Sequence, residues 1–281
     1  MPTNEDPMKM DSPEDLTRST EAAWNRVAEK FRAELDQDVA FLRSGAVSLA
    51  DHEVRSLGDV SGCSLAIHLQ CSHGQDTLSL LSLGVKRVIG VDLSREMLAL
   101  AARKAELLGA RAEWVRADIL DLPAELYGRA NLVYTGKGAL LWVADLGRWA
   151  GGVARLLRPG GRFYLYDGHP LNWLWDVTRD THRLSMDGRG YFDHSPRANR
   201  DFPALAVERY TPAGELAPKA WEYQWTIGQV VTALCEAGLL IDRLEEYPEQ
   251  FWPQLRRISA AELARFPHSF SVLARLPMAG D

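Results

Sequence analysis

Residues 63–92 read CSLAIHLQCSHGQDTLSLLSLGVKRVIGVD. The run 63–69 is short and mostly apolar, as expected of a strand covered on both faces. Ser72, His73 and Gly74 make a turn, residues 77–83 read as a helix stopped by Gly84, and residues 87–92 form a second strand ending in Asp92. A strand, a helix and a strand in about 30 residues imply a parallel pair joined by a right-handed crossover.

The rhythm continues outward. Residues 94–108 form a helix followed by Gly109, and residues 112–116 a strand that leads to a turn at Asp118. A strand at 130–135 and a helix at 145–157 come next. The turn Arg158-Pro-Gly-Gly161 closes that helix before the strand 162–166. Strict alternation predicts an α/β chain, Rossmann-like and doubly wound, with a mostly parallel seven-stranded sheet. Residues 226–237 read as a helix ended by Gly238, with strands at 239–244 and 270–275. No helix between those two strands is long enough for a crossover, so they should form an antiparallel edge hairpin, with 248–267 as the excursion between them.

Before the alternation, residues 1–18 carry Pro2, Pro7 and Pro13 among few large apolar groups and read as disordered. From near Ser19, the residues Ala23, Val27, Phe31, Leu35, Val39 and Leu42 recur at helical spacing up to Gly45. The expected organisation is one domain over 19–281. It comprises a helical cap (19–60), a core (61–168), an insert (169–222), and a closing helix and strands (223–281). The insert lacks a period and concentrates Trp173, Trp175, Tyr191, Phe192, Phe202, Tyr210 and Trp221.

Composition narrows the function. The 281 residues are 46% hydrophobic, enough for one large core. A net charge of −6 argues against broad nucleic-acid binding, which needs clustered Lys and Arg. Cys63, Cys71 and Cys235 lack metal or redox spacing, and no His, Cys and carboxylate grouping has metal-ligand spacing, so reduced thiols and no metal are expected. With no secretory signal and no apolar run of about 20 residues, the expectation is a cytoplasmic protein that does not bind membrane.

In an open parallel sheet, ligands sit beyond the carboxyl ends of the strands at the switch point. Gln70 to Gly74 lies there, with free helix N–H groups following it; an ordinary strand–helix turn is the other reading. Asp92, about 20 residues on, can accept two hydrogen bonds from a ribose diol or can cap the next helix, although Ser94 caps better. Met97 can cover an adenine face or simply pack in the core. Asp118 can accept a hydrogen bond from the adenine amino group, or shape a turn. Three such sites at the ends of successive strands weigh more than any one of them.

Taken together, residues 61–168 resemble the class I S-adenosylmethionine-dependent methyltransferases. The matching signposts are the turn at 68–74, Asp92, Asp118 and Leu156-Leu-Arg-Pro-Gly-Gly161. The string from His68 to Ser79 resembles a small-molecule subset with a His-Leu-Gln-Cys turn. The resemblance implies S-adenosylmethionine as cofactor, held by Gln70, Cys71, Ser72, Gly74, Asp92, Leu93, Met97, Asp118, Ile119, Thr135 and Gly136. It implies a small-molecule acceptor. The aromatic groups of the insert, especially Trp173, Tyr191 and Trp221, can build an apolar cover over that acceptor, with Trp173 and Tyr191 touching it, or can simply complete the core.

The first motif departs from the family. His68 stands where the family has an acid that contacts the methionine ammonium, and Gln70 and Ser72 stand at the first two glycine positions. Gln70, or a carbonyl near Thr135-Gly136, is the substitute acceptor, and Lys137 can meet a substrate acid or the cofactor carboxylate. Asp167 and His169 are candidate general bases, His169 first because imidazole titrates near neutrality. The altered motif keeps open a cofactor-binding or interaction module without catalysis. A nicotinamide-dependent dehydrogenase needs Gly-x-Gly-x-x-Gly at the first turn, and only Gly74 is present.

Overall fold

A computed structural model of the chain describes residues 12–176, 181–185 and 190–278. Helices α1 (Pro13–Arg43) and α2 (Asp51–Leu57) precede an alternating series. It runs β1 (Ala66–Leu69), α3 (Gln75–Ser82), β2 (Val88–Asp92), α4 (Arg95–Leu108), β3 (Ala112–Arg116), β4 (Ala130–Gly136), α5 (Leu146–Leu156) and β5 (Leu157–Gly168). Short pieces follow: β6 (Trp175–Asp176), β7 (Thr181–Leu184), β8 (Arg197–Ala198), α6 (Ala204–Tyr210) and β9 (Trp221–Glu222). The chain closes with α7 (Ile227–Glu236), β10 (Leu240–Tyr247), α8 (Ala260–Leu263) and β11 (Ser269–Arg275).

The seven-stranded sheet has the order β10-β11-β5-β4-β1-β2-β3. β1 to β5 are parallel, and β11 runs antiparallel to both β5 and β10. This is the Rossmann-like sheet and antiparallel edge that the alternation implied. The winding direction reverses between β1 and β4, so the loops after these two strands diverge and leave a crevice.

Alternate side chains divide the core. Ile67, Leu69, Ile89, Val91, Val133 and Phe163 pack under α5 and α7, with Trp149 and Val153. Ala66, Val88, Leu132, Tyr134, Tyr164 and Tyr166 face the other way, onto Leu57 of α2 and Leu80 of α3. Both faces are covered, which is why these strands read as continuous apolar runs.

Several boundaries differ from the sequence reading. The first helix begins at Pro13, not near Ser19, so residues 13–18 are helical where disorder was expected; residues 1–11 lie outside the described residues. The cause is a capping box: Ser12 Oγ accepts from the Asp15 N–H, and Asp15 accepts from the Ser12 N–H, with Pro13 at the first helical position. Arg158-Pro-Gly-Gly161 is not a free turn. It belongs to β5, whose register with β4 shifts there, and the Gly160 N–H and Gly161 carbonyl pair with Leu276. The insert contains two short hairpins and α6. Among the described residues no helix is long and apolar enough to cross a membrane.

α1 lies across α4 and α6, burying Ala23, Val27 and Ala28 against Met97, Leu100 and Val207. An ion pair fixes its far end. Lys104 of α4 is 1% exposed, and its Nζ lies 2.7 Å from Asp38 Oδ2 and 2.7 Å from His73 Nδ1. Removing one partner of a buried pair leaves an uncompensated charge. Asp38→Ala is therefore expected to cost about 3 kcal/mol, seen as a lower urea midpoint. A midpoint equal to wild type would mean that this pair does not hold α1.

Candidate functional site

A cleft of about 1600 Å³ opens over the carboxyl ends of β1, β2, β4 and β5. α1 forms one wall, through Trp24 and Phe31. The insert and the 250–256 loop form the other walls.

The turn after β1 forms its floor. Gln70 and Ser72 have φ of 55° and 48°, the left-handed region that favours glycine, and Gly74 follows at 77°. The glycine-type backbone thus persists with side chains on it. Gln70 Nε2 donates to the Ala139 carbonyl at 2.8 Å, while its Oε1 is buried without a partner. The Cys71 thiol is packed near Gly90, and burial pushes its pKa up. Gly74 lies off the cleft wall; a Cβ there would meet the Trp114 ring at 2.5 Å, so close packing requires this glycine.

Asp92 links two turns. Its Oδ2 accepts from the Ser72 N–H at 2.8 Å and its Oδ1 from the Ser94 N–H at 2.8 Å. Burial pushes its pKa up to about 6, against the pull of these N–H donors. Capping α4 falls to Ser94, whose Oγ accepts from the Met97 N–H, so the N-cap alternative for Asp92 lapses. Leu93, Met97 and Ile119 line the same stretch of cleft. Asp118 spends Oδ1 on the Leu120 N–H at 2.9 Å.

Thr135 is displaced from its expected role. It is fully buried off the cleft, and its Oγ1 donates to the Leu69 carbonyl at 3.1 Å, tying β4 to β1. Gly136 does line the cleft; a Cβ there would sit 2.1 Å from the Tyr166 carbonyl oxygen.

Neither candidate base is available. Asp167 accepts from Gly138 N–H (2.8 Å), Gly168 N–H (2.6 Å) and Leu140 N–H (2.9 Å), pinning the loop after β4; burial still raises its pKa to about 6. His169 lines the cleft, but Nδ1 accepts from the Leu171 N–H at 3.1 Å and Nε2 lies 2.8 Å from Glu246 Oε1. Both nitrogens are spent on shaping the chain after β5, so the expectation of His169 as a general base is corrected. Trp173 lines the cleft, whereas Tyr191 does not and packs edge-on to Phe192 at 5.0 Å.

The sequence reading missed Trp142 and Trp252, which also line the cleft. Trp142 meets Trp24 edge-on at 5.4 Å, Phe202 lies 5.9 Å from Trp24, and Trp252 lies 5.5 Å from Phe202. These four rings come from four separated segments, and no local pattern joins them. Asp76, in the first turn of α3, also lines the cleft. An acid just past the turn at a helix start was the available signal. Among the described residues, no group of three His, Cys, Asp or Glu could hold a metal ion.

Residues 66–161 match the family model of a methyltransferase domain. An uncharacterized methyltransferase of Synechocystis sp. is 35% identical over 111 residues, covering 39% of this chain and 50% of its own. A crystal structure of an S-adenosylmethionine-dependent methyltransferase from Mesorhizobium loti aligns with a TM-score of 0.58 at 25% identity, over 80% of this chain and 96% of that one. A Listeria monocytogenes protein assigned to the same group gives 0.59 at 21% identity over the same shares. The chain spans about half the length of the curated relatives it matches. The chain has the Rossmann-like fold of these methyltransferases, and its residues 66–161 are similar to a methyltransferase domain.

His68, at the position of the family's acid, is buried with Nδ1 2.7 Å from Thr77 Oγ1. Burial first, with Lys137 adding to it, lowers its pKa to about 4 against the opposing pull of Asp76. The folded protein therefore binds fewer protons here than the unfolded chain, and His68 subtracts stability as pH falls from about 6.5 towards 4. Imidazole NMR shifts of His68 should stay flat from pH 8 to 5. A midpoint near 6.5 would contradict this burial.

Proposed function

We propose that the protein is an S-adenosylmethionine-dependent methyltransferase acting on a bulky, largely apolar small molecule. The observation that carries the reading is Asp92. Its carboxylate is held in place by backbone N–H groups, Ser72 on Oδ2 and Ser94 on Oδ1, and lines the cleft, where a carboxylate can accept hydrogen bonds from a ribose diol.

The neighbouring residues fit the same group. Leu93, Met97 and Ile119 offer an apolar slot for adenine, and Asp118 keeps Oδ2 for the exocyclic amine. The left-handed turn at Gln70 and Ser72 shapes the floor beneath the cofactor's amino-acid end. When bound, the cofactor would supply a sulfonium-activated methyl group: the acceptor's lone pair would form the new bond to carbon, and the electron pair of the broken carbon–sulfur bond would stay on sulfur. The chain's part is alignment and exclusion of water. Asp167 and His169 are both committed to the fold, so this reading assigns neither a proton-transfer role.

Room and lining favour a sizeable acceptor. Drug-sized ligands occupy pockets of about 300–1000 Å³, and this cleft is about 1600 Å³, enough for cofactor and acceptor together. Trp24, Trp142, Phe202, Trp252 and Trp173 supply apolar wall beyond the cofactor half, with α1 and the 169–222 insert as cover. One observation favours a second reading, a binding module without turnover: His68 replaces the usual acid. Release of S-adenosylhomocysteine with any acceptor separates the two.

Calorimetric titration with S-adenosylmethionine should show saturable binding, and Asp92→Ala should weaken it at least about tenfold, since hydrogen bonds to a charged group are lost. Because Asp92 gains a proton below about pH 6, wild-type affinity should fall as pH drops through that value. Affinity indifferent to the substitution would refute the assignment.

A further inference from the structure

The corner of the cleft beside β1 lacks the family's acid, yet it is not without negative charge. Asp76 stands on the first turn of α3 and lines the cleft. Its Oδ2 lies 2.9 Å from Lys137 Nζ, and its Oδ1 accepts a hydrogen bond from Ser48 Oγ. Burial opposes its ionisation, but Lys137, His68 and the Ser48 hydrogen bond outweigh burial and hold its pKa below the usual range. Lys137 has a left-handed backbone (φ 56°), which sets its side chain in the loop after β4. Its Nζ donates to the Ser48 carbonyl at 2.8 Å and lies 3.7 Å from Glu53 Oε2. Close by along the chain, Gln70 lines the same cleft with Oε1 buried and unpartnered.

An α-amino acid end carries an ammonium and a carboxylate on one carbon. A carboxylate and an ammonium held 2.9 Å apart on a cleft wall are complementary to both. The orphan Gln70 oxygen adds an acceptor for a third N–H, which would otherwise remain a desolvated polar atom.

We propose that Asp76, assisted by Gln70 Oε1, replaces the strand-end acid as the partner of the cofactor's ammonium, while Lys137 faces its carboxylate. The charge has moved from the end of β1 to the start of α3, and neutral His68 fills the vacated position. This assignment rests on the S-adenosylmethionine reading above.

Two ligands isolate the claim. S-adenosylhomocysteine has the amino-acid end; 5′-methylthioadenosine keeps adenosine and the thioether without it. By calorimetry, Asp76→Asn should weaken S-adenosylhomocysteine about ten- to hundredfold and leave 5′-methylthioadenosine within about twofold. If Asp76→Asn does not fold, the double variant Asp76→Asn/Lys137→Gln removes the ion pair as a unit and carries the same comparison. Equal losses for both ligands, or no loss for either, would overturn the proposal and make Asp76 a structural partner of Lys137. Equal wild-type affinity for the two ligands would overturn it as well, with the cofactor reading intact. A folded wild type that binds neither ligand would remove the cofactor reading and this assignment together.

Discussion

Asp92 joins the two turns on which the cleft depends. Its carboxylate receives N–H groups from Ser72, after β1, and from Ser94, after β2, in a setting where burial alone would drive it towards the neutral acid. Each of those turns has further duties. The first places two non-glycine residues at positive φ, a strained arrangement that persists only where surrounding contacts fix it. The second caps α4 through Ser94, and α4 in turn seats α1 through Met97, Leu100 and Lys104. One buried carboxylate therefore couples the floor of the cleft to its roof.

Much of this was legible in the chain itself. Continuous apolar runs between Gly-terminated helices located the sheet, because both of its faces are covered. Asp92 and Asp118 were legible because strand ends have a fixed place in such a sheet. The start of α1 was missed because Pro13 reads as a breaker unless Ser12 and Asp15 are seen as a capping box. His169 looked like a base because side-chain identity says nothing of partners. Only tertiary structure brings Glu246 and the Leu171 N–H to its two nitrogens. Tyr191 was weighed by aromatic content alone, and it packs on Phe192 without lining the cleft.

The departures in the first motif form a set. Loss of the strand-end acid, side chains at the glycine positions, and Asp76 with Lys137 across the corner all concern the same end of the cleft. A degraded site would be expected to lose its burial and charge balance. Here Lys137 is braced by Asp76, Glu53 and the Ser48 carbonyl, and the backbone retains the glycine-type turn. At the opposite end, Asp92 and Asp118 line the cleft together with Leu93, Met97 and Ile119.

The most direct test of the account is a crystal structure of the protein with S-adenosylhomocysteine. The account predicts the ribose hydroxyls on Asp92, adenine beside Leu93, Met97 and Ile119, and the ammonium within hydrogen-bond reach of Asp76. Ligand density elsewhere in the cleft, or an amino-acid end turned away from Asp76 and Lys137, would contradict it.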